Sequence, residues 1–187
     1  MGEPKLLLKI GQLTLIERLI RQLQECEFKS ICVLVREDDL ELQREVDRCG
    51  ATVVSPSQAP QEMRESVEIL LKYLTLQNRL QDDDGWLLIP ADYPVVLPSV
   101  LESLIESWRE SPTAISVPLS NGRRGHPTIF PAAVAQRVQR IPPNKGLNWL
   151  LRQSSLTVNE VEVDAESIHW DVDTPSDLQR IRRILEE

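Results

Sequence analysis

Cysteine, histidine and long apolar runs are all scarce in this chain of 187 residues. The three cysteines, Cys26, Cys32 and Cys49, form no C-x-x-C pair and have no histidine nearby, which argues against zinc and against a disulfide framework. The first apolar run, 6–8, is far shorter than the core of a signal peptide or a membrane span. We therefore expect a reduced, cytoplasmic protein with no membrane partner.

Positive charge is also in deficit. The chain has 21 lysines and arginines against 29 aspartates and glutamates, which gives a net charge of -8. Nucleic acid is not an expected partner, because binding to a phosphate backbone needs an excess of cations. A small anionic substrate would need a local basic cluster, and the loop 121–127, with Arg123, Arg124 and His126, is the densest one in the sequence.

Predicted strands and helices alternate along the chain. Thr14 and Glu17 form a capping box that opens a helix to about Cys26. The other predicted elements are strands 31–35, 52–54, 86–91, 113–117, 128–130, 158–163 and 168–172, and helices 38–48, 63–80, 98–108, 132–140, 147–153 and one opening at 173–175. With no repeat or linker, they predict a single domain over 1–187, a three-layer α/β/α sandwich with a mainly parallel, Rossmann-like sheet.

The stretch 86–94 carries the first candidate site residue. Four large apolar residues in a row, from Trp86 to Ile89, are typical of a strand covered on both faces and predict an interior position in the sheet. Asp92 comes just after this strand, and open α/β sheets bind ligands in the crevice outside the carboxyl ends of their strands. Asp92 is therefore predicted either to face a ligand or metal ion there, or to cap a turn.

A second carboxylate, Asp173, follows the predicted strand 168–172. If the two strands are neighbours, Asp92 and Asp173 meet at one edge of the sheet. Such a pair can hold Mg²⁺ against a substrate phosphate, because Mg²⁺ keeps most of its waters and takes only one or two protein carboxylates. The alternative for Asp173 is that it caps the final helix.

Six short motifs occur in order along the chain. They are Met1-Gly-Glu-Pro-Lys-Leu-Leu-Leu, Thr14-Leu-Ile-Glu-Arg, Ser66-Val, Ala91-Asp-Tyr-Pro, Gly125-His-Pro and Asp171-Val-Asp-Thr-Pro-Ser-Asp-Leu178. In order and spacing they resemble the molybdenum cofactor cytidylyltransferase family, which belongs with the MobA-like nucleotidyltransferases. The resemblance covers the whole chain, and the Gly-His-Pro and Asp-Val-Asp-Thr-Pro motifs together are far more specific than either alone. It implies a nucleotide-diphospho-sugar transferase-like fold.

That family joins the terminal phosphate of molybdopterin to the α-phosphate of CTP, with Mg²⁺ as cofactor and with release of pyrophosphate. The resemblance thus implies a nucleotidyltransferase whose partners are a nucleoside triphosphate, CTP, and a phosphorylated acceptor. It implies Lys5 and Asp92 as catalytic residues, with Lys5 on the triphosphate and with Asp92 and Asp173 at the metal. It also places Ser66 beside the nucleotide.

On the acceptor side, the resemblance implies that Gly125, His126 and Pro127 shape the site. We expect Arg123 and Arg124 to line the same crevice and to attract the anionic acceptor, because an acidic protein that binds an anion must gather its positive charge there. The alternatives are a packing role for His126 and solvated positions for the two arginines.

One departure from the family pattern is large. The family's signature begins with a strand and a glycine loop, Leu-Ala-Ala-Gly-x-Ser-x-Arg, placed directly before the motif with which this sequence starts. We expect the chain to be an N-terminally truncated version of the domain and, as it stands, a poor or inactive enzyme. Two explanations stay open: an enzyme whose true start lies upstream, or a non-catalytic relative that acts as a binding or interaction module. A milder departure is Ala91 and Tyr93, where the family more often has Gly and Met or Gln.

Overall fold

The computed structural model describes residues 4–26, 28–153 and 155–186, so the first three residues of the opening motif lie outside the described ranges. The helices are α1 (Leu15–Gln24), α2 (Leu40–Arg48), α3 (Met63–Leu76), α4 (Pro98–Glu110), α5 (Ala135–Val138) and α6 (Pro175–Glu186). The strands are β1 (Lys9–Ile10), β2 (Leu13–Thr14), β3 (Cys32–Leu34), β4 (Thr52–Val54), β5 (Gly85–Leu88), β6 (Ile115–Ser120), β7 (Arg123–Arg124), β8 (Thr128–Pro131) and β9 (Val158–Glu162). Short 3-10 helices cover Lys5–Leu7, Ala132–Val134, Leu147–Arg152 and Glu166–His169.

The first two helices begin where local sequence signals place them. The side chain of Thr14 accepts a hydrogen bond of 3.1 Å from the backbone amide of Glu17, as the capping box predicts. Asp39 caps α2 in the same way, through the amide of Leu42. Among the described residues, no helix combines the length and the apolar character needed to cross a membrane.

The main sheet is mixed. Its strands lie in the order β5-β8-β6-β7, and β9 pairs with the other edge of β6. β8 runs antiparallel to both β5 and β6, whereas β9 is parallel to β6, and β3 and β4 form a separate parallel pair. The α/β class is confirmed. The predicted interior position of the strand at Trp86 is wrong for the hydrogen-bonded sheet described here, in which β5 is the end strand.

The predicted strand 168–172 is also wrong. Glu166–His169 is a 3-10 helix, and the backbone groups of Ile168 and Val172 bond to two different loops instead of to one neighbouring strand. The amide of His126 donates to the carbonyl of Ile168, and the amide of Val172 donates to the carbonyl of Asp92, both at 3.0 Å. Ile168 and Val172 are both buried, and each packs in a different apolar cluster. The apolar pattern over 168–172 therefore reflects this packing and not a strand.

Neither β3 nor β5 has a strand paired with its second edge in the described part of the chain. Each pairs with a single neighbour, β4 or β8 respectively, among the described strands. Their amino ends are joined by an ion pair between Lys29 and Asp84. All three residues of β3 are only partly buried, although a central strand of a covered sheet is normally enclosed.

A cavity of about 450 Å³ opens at the amino ends of β3 and β4. It is lined by Lys29, Ser30, Ile31, Gly50, Thr52, Asn78, Arg79, Gln81 and Asp84. Asp92 follows the opposite, carboxyl end of β5. The cavity is therefore separate from the site formed around Asp92.

Candidate active site

The ammonium group of Lys5 lies between two carboxylates. Its Nζ atom is 2.9 Å from Asp92 Oδ2 and 2.8 Å from Asp173 Oδ1. The side chains of Lys5 and Asp92 are each 28% exposed, whereas that of Asp173 is 66% exposed. The structure thus brings together three residues that are far apart in the chain, at the mouth of a half-buried site.

Lys5 reaches this position from the 3-10 helix Lys5–Leu7. The next two residues, Leu6 and Leu7, pack on the apolar cluster that contains Ile16 of α1. The carbonyl of Leu8 then accepts a hydrogen bond from the amide of Leu15. Apolar packing on α1 therefore fixes the backbone of the segment and leaves the lysine side chain directed to the carboxylates.

Asp92 lies in a turn that the residues after β5 hold firmly. The amide of Tyr93 donates to the carbonyl of Pro90, and the next valines, Val95 and Val96, are buried. No backbone amide among the described residues donates to the carboxylate of Asp92. The described hydrogen bonds thus do not make Asp92 a turn cap, and its ligand-facing role stays a prediction.

Asp173 is likewise not the cap of the final helix. Thr174 takes that role, because its hydroxyl accepts from the amide of Asp177 while the carboxylate of Asp177 accepts from the amide of Thr174. The side chain of Asp173 bonds to Lys5 instead. The reciprocal cap thus satisfies the first turn of α6 and leaves the Asp173 carboxylate for the site.

The carboxylate pair fits a divalent cation. Asp92 Oδ2 contacts Lys5, while Asp92 Oδ1 is buried and has no hydrogen-bond partner among the described residues. A buried carboxylate oxygen without a partner is costly, and hard cations such as Mg²⁺ and Mn²⁺ prefer oxygen ligands. The described residues contain no group of three or more side chains able to hold a metal by themselves, so substrate oxygens and water would complete the coordination.

The charge of Lys5 is stabilised by this arrangement. Burial by itself lowers the pKa of the Lys5 ammonium, but the hydrogen bonds to Asp173 and Asp92 and the charges of both carboxylates outweigh it, so the pKa lies above its ordinary value. Lys5 is therefore fully protonated at neutral pH and presents a positive charge at the centre of the site.

The Gly125-His126 segment packs directly on the segment that precedes Asp173. A methyl group added at Gly125 would lie 2.5 Å from the backbone oxygen of Ile168, so only glycine fits at this contact. The amide of His126 donates to that same oxygen. Gly125 therefore acts by allowing close approach, which sets the position of His126.

His126 is a partly buried imidazole. Burial lowers its pKa, and the negative charges of Asp92 and Asp171 oppose that effect without reversing it. Its Nδ1 atom is buried and has no partner among the described residues. Its ring meets the ring of Tyr93 edge-on, with the centroids 4.9 Å apart. His126 thus adjoins Asp92 through Tyr93 and keeps one ring nitrogen available.

The two arginines of the basic loop have different surroundings. Arg123 is exposed and lies close enough for its charge to lower the pKa of Tyr93, although burial and the carboxylates of Asp171 and Asp92 raise that pKa overall. Arg124 instead pairs with Glu160 on β9, at 2.7 Å. Arg123 thus lies within electrostatic range of Tyr93, whereas Arg124 is engaged with β9.

Ser66 lies in the first turn of α3, where it is partly buried. None of the hydrogen bonds among the described residues joins its side chain to the cluster of Lys5, Asp92 and Asp173. Its predicted place beside the nucleotide stays a prediction.

Two further residues of this region were not assigned a role from the sequence. His169 has a buried Nε2 atom without a partner among the described residues, and its charge acts on His126. Asp171 acts on both His126 and Tyr93. The predicted strand over 168–172 concealed His169, because it treated this residue as part of a β-sheet. Asp171 lies inside the Asp-Val-Asp-Thr-Pro motif, and this motif is the sequence signal that could have identified it.

The lysine and its two carboxylates lie beyond the carboxyl end of a strand, where open α/β sheets bind their ligands. The family described as MobA-like NTP transferase domain matches residues 1–158, and the chain belongs to this family of nucleotidyltransferases. No curated protein sequence matches the chain.

Solved structures of similar proteins share the nucleotide-diphospho-sugar transferase-like fold. The Rv0371c homolog from Mycobacterium sp. strain JC1 superposes with a TM-score of 0.82 at 24% identity, over 100% of this chain and 90% of the other. Rv0371C of Mycobacterium tuberculosis H37Rv, solved as a complex with manganese, gives 0.76 at 22% identity, over 97% and 93%. A 4-diphosphocytidyl-2C-methyl-D-erythritol synthase gives 0.79 at 15% identity, over 97% and 95%. These similarities confirm the predicted fold.

Proposed function

We propose that this protein is a Mg²⁺-dependent nucleotidyltransferase that transfers CMP from CTP to a phosphorylated acceptor such as molybdopterin, with release of pyrophosphate. The observation that carries the proposal is the contact of Lys5 with both Asp92 and Asp173, beside a buried carboxylate oxygen that has no partner among the described residues. Transfer of a phosphoryl-type group asks a protein for positioning and charge neutralisation, and these residues can provide both.

Each residue has a defined task in this proposal. Asp92 and Asp173 would hold the cation, and Lys5 neutralises charge on the triphosphate. The acceptor phosphate oxygen attacks the α-phosphorus, and the bond to the β-phosphate oxygen breaks so that its electron pair leaves with pyrophosphate. The bound cation would supply further charge neutralisation at the phosphates. Arg123 attracts the anionic acceptor, and His126, packed against Tyr93, orients it.

The choice of CTP and of molybdopterin rests on similarity. The motifs of the chain resemble those of the molybdenum cofactor cytidylyltransferases, and one structural neighbour carries a diphosphocytidyl group in its name. The manganese complex of another neighbour supports a divalent cation. Nucleotide and acceptor are small molecules, so neither nucleic acid nor a membrane is a partner in this function. The expected location is the cytoplasm.

A second candidate function is favoured by the strand edges of β3 and β5, since each of these strands pairs with a single neighbour among the described strands. An open strand edge can pair with a further polypeptide strand. In this second function the protein keeps the fold and acts as a binding or interaction module. The two candidates differ in whether bound nucleotide is turned over.

Pyrophosphate release separates them. The protein is incubated with Mg²⁺, molybdopterin and each of CTP, GTP, ATP and UTP, and the Asp92→Asn variant serves as the control. Release that requires CTP, the acceptor and Asp92 is the expected result. Binding of CTP by calorimetry without release would support the binding module, and neither binding nor release with any of the four nucleotides would contradict both candidates.

A further inference from the structure

The ammonium group of Lys5 has the position of a cation shared by two carboxylates. It contacts one oxygen from each of Asp92 and Asp173, at 2.9 and 2.8 Å. Two carboxylates that share one site repel each other when both are ionised, and a cation between them removes that repulsion. Lys5 therefore provides positive charge that stabilises the two carboxylates at close distance.

We propose that Lys5 is a surrogate cation that holds Asp92 and Asp173 together before metal binds, and that an entering divalent ion displaces its ammonium group from the carboxylates. This inference rests on the proposed function, since it concerns the same metal site. It adds an order of events: Lys5 is available to the triphosphate only after the metal has taken its place. Metal and lysine thus compete for the carboxylates and later cooperate at the phosphates.

The surroundings of Lys5 permit such a displacement. Packing of Leu6 and Leu7 fixes the backbone of the segment, so the movement needs only rotations of the lysine side chain. Asp173 is mostly exposed, which leaves room for the ammonium group to move outward. Asp92 Oδ1, buried and without a partner among the described residues, gives the metal a first ligand while Lys5 still contacts Oδ2.

The charges give the expected direction and size of the effect. The ammonium group and a divalent ion repel each other and need the same carboxylates, so the lysine opposes entry of the metal. Removing the lysine charge should therefore raise the affinity for metal in the absence of nucleotide by about tenfold. The same change should weaken the binding of the metal–nucleotide complex, because the phosphates lose a cation.

Two measurements test the competition without using activity. Binding of Mn²⁺ to the nucleotide-free protein is followed by electron paramagnetic resonance for the wild type, Lys5→Met, Lys5→Arg and Lys72→Met, where Lys72 is exposed on α3. Acylation of individual lysines is followed by mass spectrometry with and without Mn²⁺, with Lys72 and Lys145 as internal standards. Circular dichroism and thermal unfolding confirm that each variant is folded.

The expected result is tighter Mn²⁺ binding by Lys5→Met, with Lys5→Arg and Lys72→Met close to the wild type, and faster acylation of Lys5 when Mn²⁺ is present. Equal or weaker Mn²⁺ binding by Lys5→Met would overturn the proposal. Tighter binding with unchanged acylation would also overturn it, because the metal would then bind without displacing the lysine. If neither wild type nor Lys5→Met binds Mn²⁺, this inference and the metal site both fail, whereas Mn²⁺ binding as expected without pyrophosphate release would contradict the proposed function alone.

Discussion

The backbone amide of Val172 donates a hydrogen bond of 3.0 Å to the backbone carbonyl of Asp92. This bond joins the turn after β5 to the segment that leads into α6. Because Val172 is fully buried and directly precedes Asp173, the bond fixes both carboxylates relative to one another. The geometry of the proposed metal site thus depends on backbone hydrogen bonding as well as on the charges of its side chains.

Loss of either carboxylate should reduce turnover, and Asp92 should matter more. Asp92→Asn removes the half-buried ligand and should lower kcat by about 100-fold or more. Asp173→Asn should cost less than about tenfold, because the exposed carboxylate is screened by solvent. Pyrophosphate release is the measurement, and Asp164→Asn, a change of an exposed carboxylate, is the matched control. Equal losses for the Asp92 and Asp173 variants would contradict the assigned difference.

The basic loop should owe its effect on the acceptor to one arginine. Arg123→Ala should raise KM for the phosphorylated acceptor about tenfold, since a hydrogen bond or close contact between charged groups is lost. Arg124→Ala should leave KM nearly unchanged, because Arg124 is engaged with Glu160. The assay is run at low salt, where surface charges act most strongly. An unchanged KM in the Arg123 variant, or a large effect in the Arg124 variant, would show that the loop has a different arrangement.

Gly125 should tolerate no side chain. Gly125→Ala places a methyl group against the backbone of Ile168 and should lower the free energy of unfolding by about 1–3 kcal/mol. The control is Gly146→Ala, where an added methyl group meets no atom within 4 Å. Thermal or urea unfolding of both variants gives the comparison. A destabilisation of the same size in both would mean that close packing on Ile168 is not the reason for glycine.

The ion pairs of Glu17 should make stability depend on pH. Burial by itself raises the pKa of Glu17, but hydrogen bonds from Arg48 and Arg21 outweigh it, so the folded-state pKa lies below the ordinary value. Ionised Glu17 therefore stabilises the fold above its unfolded-state pKa of about 4.3, and this contribution is lost as the pH falls through the lower, folded-state pKa.

Glu17→Gln should accordingly be less stable than the wild type by about 2 kcal/mol at pH 7, and the difference should shrink as the pH falls below about 4. Urea unfolding across this pH range is the measurement. Glu25→Gln, which changes an exposed glutamate just after α1, should show no such difference at any pH. A constant difference for Glu17→Gln would show that its effect is not ionic.

The open edges of β3 and β5 should pair with a further strand. An N-terminal extension that supplies an apolar strand and a glycine loop should raise both the free energy of unfolding and the rate of pyrophosphate release, because it would pair open strand edges and add amide donors for phosphate. Loss of one preorganised donor costs about 100-fold in a studied enzyme, so the gain should exceed that. A matched extension with proline in the strand is the control. Comparable turnover with and without the extension would show that the glycine loop is dispensable.

Local signals in the sequence were sufficient for most of the helices and strands, whereas the roles of Lys5, Asp92 and Asp173 stay predictions. The cap at Thr14, the apolar run at Trp86 and the spacing of the motifs around Asp92 and Asp173 each depend on neighbours in the chain, which a pattern can report. The family similarity and the structural neighbours confirmed the fold.

Only the tertiary structure showed which of several similar side chains makes a given hydrogen bond or ion pair. Thr174, and not Asp173, caps α6, because Asp177 reciprocates the bond and Lys5 offers Asp173 a stronger partner. Arg124 turns to Glu160 because strand pairing brings the two side chains together across the sheet. The partner of a charged or polar group comes from anywhere in the chain, and its choice is a competition in space that spacing along the sequence does not encode.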